Sequence, residues 1–185
     1  VNMGNIENKG IELTINATPV QLRDFSWQTT LTYTKNKNKV LKLSEGKSFV
    51  EDGKYLIEEG SPLGQWFGQK ALGIYATDEA NAYIKNSDGS FGDRLIPVYQ
   101  RDPNNYNNYI YGSNGKPIFS HYETKGGQKY AGDVGQMTTA GSVSKGGDII
   151  WDDLDHDGVI GDSDRRILGN GMPTWYMGWT NYLNY

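Results

Sequence analysis

Three stretches of this chain alternate apolar and polar residues with a period of two, and they lie towards its two ends. In Ile11-Glu12-Leu13-Thr14-Ile15-Asn16-Ala17-Thr18 the odd positions are apolar and the even ones polar. In the next stretch Phe25, Trp27, Thr29, Leu31 and Tyr33 form one file, and Ser26, Gln28, Thr30, Thr32 and Thr34 the other. Trp175, Met177, Trp179, Leu183 and Tyr185 alternate in the same way with Tyr176, Gly178, Thr180, Tyr182 and Asn184. Successive side chains of a strand point to opposite faces, so each stretch predicts a strand with two unlike faces. The polar piece at 19–24 predicts a turn that joins the first two strands into a hairpin. The cluster Asn36-Lys37-Asn38-Lys39 predicts the end of the second strand. A small or polar face meets bulk water in a soluble sandwich and a wet lumen in a membrane barrel, and alternation alone leaves both open.

From residue 41 to about 173 the periodicity is poor. Tyr55-Leu56-Ile57, Ile74-Tyr75 and Gly147-Asp148-Ile149-Ile150-Trp151 read as short strands, and Asn86-Ser87-Asp88-Gly89-Ser90 as a turn. The Asn/Tyr run at 102–109 reads as a polar loop. Residues 78–84 allow a helical turn or two and nothing longer. The layout is strand, short turn, strand, long excursion, strand. Outer-membrane barrels have short periplasmic turns and long extracellular loops, which would put 19–24 in the periplasm and the excursion outside. A structureless loop of this length is unusual, so the excursion is expected to carry small strands of its own or to be held by ligands and partners. The final strand pattern is still running at Tyr185, which reads as truncation.

Composition narrows the function classes. A net charge of −4 leaves no electrostatic footprint for nucleic acid. The absence of cysteine removes disulfides, thiolate zinc sites and cysteine nucleophiles. No run of about 18 apolar residues exists to make a membrane helix, a test that a barrel strand escapes. No catalytic constellation emerges: His121 and His156 lack evident partners, and Glu58 and Glu59, adjacent on an extended segment, face opposite ways as solvated charges.

The strongest local motif is Asp153-Leu154-Asp155-His156-Asp157-Gly158-Val159-Ile160-Gly161-Asp162-Ser163-Asp164. It follows the calcium-loop pattern D-x-D-x-D-G with an acid at the twelfth position. Calcium takes six to eight oxygens, and alternate residues of a tight loop converge to supply them. Asp153, Asp155, Asp157, the Val159 carbonyl and Asp164 are the expected ligands. Gly158 allows the bend, and Ile160 anchors the loop. A strand rather than a helix precedes the loop, so this is not an EF-hand. The alternative is a surface turn that binds nothing. Tyr106, Tyr109 and Tyr111 are candidate substrate contacts, because flat aromatic faces suit sugar rings. Trp66 and Phe67, bracketed by glycines, are expected to form a local core.

Several blocks taken together resemble a known family. Asn5-Ile6-Glu7-Asn8-Lys9-Gly10-Ile11-Glu12-Leu13, with Phe25-Ser26-Trp27 and Tyr33-Thr34-Lys35-Asn36-Lys37-Asn38-Lys39-Val40, resembles the C-terminal barrel region of SusC/RagA-type TonB-linked outer-membrane proteins. Glu59-Gly60-Ser61-Pro62-Leu63-Gly64-Gln65-Trp66-Phe67-Gly68 is similar to that family's glycine-proline segment. Gly147-Asp148-Ile149, Asp153 to Ile160 and Asp164-Arg165 look like its aspartate-rich segment. Gly169-Asn170 and Pro173 fit its final turn, with Gly171-Met172 interposed. The resemblance implies an all-β fragment: antiparallel strands of a transmembrane β-barrel, at 1–40 and 174–185, around an extracellular region at 41–173 that holds the calcium-type loop 153–164. It further implies a TonB-dependent importer of oligosaccharides or peptides in the cell outer membrane, paired with a SusD-like lipoprotein. The rival reading is a secreted, calcium-stabilised carbohydrate-binding β module.

Overall fold

The computed structural model describes residues 4–185. The described residues form strands, with two single-turn 3-10 helices among them at Asp78–Ala80 and Asp162–Asp164. It divides into two units, one formed by Val1–Gly68 with Ile167–Tyr185 and the other by Gln69–Arg166.

The first unit is dominated by an antiparallel sheet of β1 (Gly4–Gln21), β2 (Ser26–Leu43) and β20 (Trp175–Asn184), with β2 in the middle. Register explains why the alternation predicted strands so well. Leu13 pairs with Tyr33 and Tyr33 with Met177; Ile15 pairs with Leu31 and Leu31 with Trp179; Val20 pairs with Trp27 and Trp27 with Leu183. Directly opposed residues share a face, so three apolar rows stack on one side of the sheet. The other side carries Thr14–Thr32–Gly178 and Asn16–Thr30–Thr180, with the Thr30 hydroxyl donating to Asn16 Oδ1 at 2.8 Å. The apolar side is uncovered: Leu13 is 51%, Met177 63% and Trp179 68% exposed.

Two expectations for this sheet are corrected. Pro19 does not open the turn: it lies within β1, where a register shift between Ala17 and Val20 spares a proline from giving a ladder hydrogen bond. The turn is tighter, closed by Leu22 N–H donating to the Phe25 carbonyl at 2.7 Å. Nor does the Asn/Lys cluster end β2, which runs on to Leu43 because Glu7, Asn8, Lys9 and Gly10 of β1 pair with it residue for residue. Beyond the cluster the inward face of β2 is covered. Val40 is buried, its N–H donates to the Ser61 carbonyl at 2.9 Å, and Leu43 N–H donates to Glu59 Oε1 at 2.8 Å. Glu59 is exposed, as expected of a solvated charge, yet it also fastens this end of β2, and half-buried Glu58 accepts from the Ser61 hydroxyl at 2.7 Å. A four-stranded sheet completes the unit, ordered β19 (Arg165–Asn170), β5 (Gln65–Gln69), β4 (Tyr55–Ile57), β3 (Phe49–Glu51). Trp66 on β5 packs on Tyr55 with ring centroids 4.7 Å apart yet stays 42% exposed, so it is a surface aromatic and not the core residue expected.

The second unit is a set of small sheets around a local core. β6 (Ala71–Ile74) pairs with β17 (Ile149–Trp151). β7 (Tyr83–Lys85) lies between β8 (Phe91–Arg94) and β14 (Val134–Gly135). β12 (Phe119–Glu123) lies between β9 (Ile96–Tyr99) and β13 (Lys129–Tyr130). β15 (Thr138–Thr139) pairs antiparallel with β16 (Ser142–Val143) and parallel with β18 (Val159–Ile160). The polar Asn/Tyr run is not a loop but a hairpin of β10 (Arg101–Asp102) and β11 (Asn105–Tyr109). Tyr75, Tyr83, Met137 and Ile150 form the core, with Phe91 against it. The two phenols meet at 2.9 Å, and burial pushes both above the ordinary tyrosine range, with their mutual hydrogen bond adding to the rise at Tyr75. Asn81 is fully buried and fully used: its amide group donates to the Met137 and Ser144 carbonyls and accepts the Met137 N–H.

Candidate metal centre

The aspartate loop is strung between β17 and β18, and the chain's own glycine chemistry shapes it. His156 and Gly158 both take left-handed backbone conformations, φ 60° and 80°. At Gly158 a side chain would also collide, since an added Cβ would lie 2.4 Å from the Phe91 ring. The loop is pinned from outside by Phe91 N–H donating to the His156 carbonyl at 2.8 Å and by Thr138 N–H donating to the Gly158 carbonyl at 2.9 Å.

Within the loop, carboxylate oxygens of Asp153, Asp155 and Asp164 come within 4.8 Å of one another. Asp164, at the end of the motif, is fully buried and ties the loop shut: its two oxygens accept the N–H groups of Leu154 at 2.8 Å and Gly161 at 2.7 Å. Asp153 is buried too. Its Oδ2 accepts the Gly158 N–H at 3.0 Å, while its Oδ1 is buried with no hydrogen-bond partner. A buried carboxylate oxygen left unpaired is costly, and it marks a place where a cation would be welcome. Burial raises the Asp153 carboxyl above its ordinary value, and the neighbouring carboxylates of Asp155, Asp164 and Asp157 push the same way. Asp155, exposed, is held below its ordinary value first by the Ser163 hydroxyl.

Asp157 stands outside the converging three. Its Oδ1 accepts the Val159 N–H at 2.7 Å, a local turn that props the loop. In an extended strand a residue's N–H and C=O point to the same edge, so the Val159 carbonyl also turns away from β15. The donor set is all hard oxygen, which suits calcium, and it holds no nucleophile with a base beside it. Flanking ion pairs, Asp152 with Arg166 and Asp162 with Arg165, spare the loop further charge.

The predicted substrate-contact tyrosines lie on or beside the β10–β11 hairpin. Tyr106 is 79% exposed on its hairpin, and Tyr111 is exposed beside Pro117. Tyr109 is structural: the Arg101 guanidinium lies 3.8 Å over its ring and donates to its hydroxyl at 2.8 Å. His121 does have partners, Ser120 and Glu123, the latter two residues along the same strand face.

No family model matches the chain. A TonB-dependent receptor of Formosa agariphila is 36% identical over 185 residues, all of this chain and 16% of the relative. A second receptor of that organism is 25% identical over 193 residues, again all of this chain and 14% of the relative. The TonB-dependent receptor SusC of Bacteroides thetaiotaomicron is 29% identical over 126 residues, 68% of this chain and 10% of SusC. The chain thus spans less than a fifth of the length of these curated relatives. Matched from end to end at that identity, it belongs to the SusC-type TonB-dependent receptors, of which it is a segment.

Proposed function

We propose that this segment supplies part of the barrel wall and of the extracellular face of an outer-membrane importer. The importer is energised through TonB, works with a SusD-like surface lipoprotein, and takes up oligosaccharides or, as the second class, peptides. The observation that carries the reading is the uncovered apolar side of the β1–β2–β20 sheet, backed by a polar side. Water penalises such a face, and hydrocarbon accepts it provided that the strands close and satisfy every backbone group. The apolar rows run from Val20, Trp27 and Leu183 to Leu13, Tyr33 and Met177, with Ile11 and Trp175 at the margin. That is roughly 20–25 Å of strand, which at the tilt of about 40° usual in such barrels rises about 15–19 Å, most of the roughly 25 Å apolar band. Aromatic residues at both margins suit the two interfaces.

The reading includes a resident calcium ion. Asp153, Asp155 and Asp164 hold it, the Val159 carbonyl contributes, and Asp157 supports the loop. The unpartnered Asp153 Oδ1 supports this assignment, and the ion's part is to order the loop. In this reading Gln69–Arg166 lies outside the cell. Single cysteines at Asn107 and at Leu22 of the full-length receptor, treated on intact cells with an impermeant thiol reagent, test the topology. Labelling at Asn107 alone is expected, and labelling at Leu22 alone overturns it. A receptor segment that is a detergent-free monomer with Trp27 and Leu31 buried in its own core would return the secreted module instead.

A further inference from the structure

The run Lys35-Asn36-Lys37-Asn38-Lys39 alternates two residue types, and β2 sorts them onto opposite faces. Asn38 serves the covered side: its Oδ1 accepts the Leu63 N–H at 2.7 Å, and its amide reaches Met172 Sδ at 3.6 Å. Two residues on, Val40 is buried on that side. Lys35, Lys37 and Lys39 are exposed and continue the file of Trp27, Leu31 and Tyr33. Register adds Lys9, directly opposite Lys37. Along this one face the order is therefore apolar, then aromatic, then basic. Tyr33 stacks on Trp175 with centroids 6.3 Å apart at the junction.

Like charges directly opposed across a sheet repel, and Lys9 faces Lys37. Glu7, paired with Lys9 at 2.9 Å, is the carboxylate of this file. Lys35, Lys37 and Lys39 have no ion-pair partner among the described residues. Four amines against one carboxylate, Glu7, which register sets opposite Lys39, leave this file net positive, and it persists more comfortably with an anion laid along it. The anion that also profits from the adjacent apolar rows is one that carries acyl chains, because a free anion gains nothing from them.

We propose that Lys35, Lys37, Lys39 and Lys9 bind the phosphate-bearing headgroups of outer-leaflet lipids, whose acyl chains lie on the apolar rows below. This rests on the barrel reading above. The amines reach the phosphates while their methylene stems cover the aromatic margin. Asn38 alternates with them and fastens the opposite face of the same strand to the segment around Leu63.

Native mass spectrometry of the full-length receptor in zwitterionic detergent tests this, with diphosphorylated and dephosphorylated lipid A as the probes. The wild type is expected to prefer the phosphorylated lipid by at least about tenfold, given the attraction of each lysine near a surface. Replacing Lys35, Lys37 and Lys39 together by Gln should abolish the preference, and replacing them by Arg should retain it. Excess inorganic phosphate should compete weakly, and equal competition overturns the lipid assignment. A wild type indifferent to the phosphates, or a Gln variant with the preference intact, overturns the proposal alone. Heat-modifiable gel migration of the same samples reports the barrel separately: its absence in the wild type overturns both readings.

Discussion

Asp153 concentrates the chemistry of the aspartate loop in one carboxyl: one oxygen anchors Gly158, and the other faces its two acidic neighbours without a partner. The most informative substitution is at Asp155, which is exposed, unlike Asp153 and Asp164. If the proposed calcium site exists, calorimetry on Asp155→Asn should find calcium affinity reduced by at least about tenfold with circular dichroism unchanged, since one of its three charged ligands is lost, and no calcium binding by the wild type overturns the site. Full affinity in that variant would remove Asp155 from the site. At Gly158, Ala should cost about 1–3 kcal/mol in chemical denaturation, because the left-handed conformation and the Phe91 ring both oppose a Cβ. The spacing of the aspartates announced the loop, but not the hydrogen bond from the Val159 N–H to Asp157 Oδ1. Such side-chain turns are set by local backbone geometry, which spacing does not show. Asn81 gave no sequence signal at all, because a polar residue acquires a buried role only from what the fold brings to it. The Tyr75–Tyr83 pair gives the pH dependence. Both phenols titrate higher folded than unfolded, so their contribution is complete below the ordinary phenol pKa of about 10 and is lost as pH rises above it. Thermal melts should therefore fall steeply beyond that pH, and Tyr75→Phe should soften the fall.

At the scale of the strand, alternation was readable where the two faces meet different surroundings and unreadable where they do not. Residues 11–17, 25–34 and 175–185 separate apolar from polar files, so the period was readable, and the pairing keeps those files in line. Residues 36–43 are polar on one face and mixed on the other, so the continuation of β2 was hidden behind a cluster that looked like an ending. Most strands of the excursion have two to five residues, too few to display a period. The strand prediction belongs here. In the full-length receptor, Leu31→Arg should impair assembly, read by heat-modifiable migration, far more than Thr30→Arg. Leu31 shares its row with Ile15 and Trp179, while Thr30 shares its own with Asn16 and Thr180. A charge at the midplane of the lipid face costs about 2–4 kcal/mol, and the lumen tolerates it. Equal impairment would place both residues in comparable surroundings and remove the lipid face.

On the scale of the whole molecule, the two units divide the burial problem differently. Gln69–Arg166 builds a core of Tyr75, Tyr83, Met137 and Ile150 from strands few residues long, whereas the long sheet of the first unit leaves its apolar side uncovered. The all-β class and the position of the long strands were legible, because they depend on local pattern. The small sheets were not, because they depend on pairings such as Gly73 with Ile150 that are distant in sequence. Among the described residues β2 is paired on both sides, while β1 and β20 each pair on one side only. Those two outer strands are rails of unspent donors and acceptors, and a rail does not recognise its proper neighbour by hydrogen bonding alone. On the proposed barrel reading, correct assembly is a race: a newly made receptor must seat each rail against the right strand faster than it meets a second copy of itself. Crowding the chain at the membrane surface should therefore lower the yield of assembled receptor before it lowers its stability.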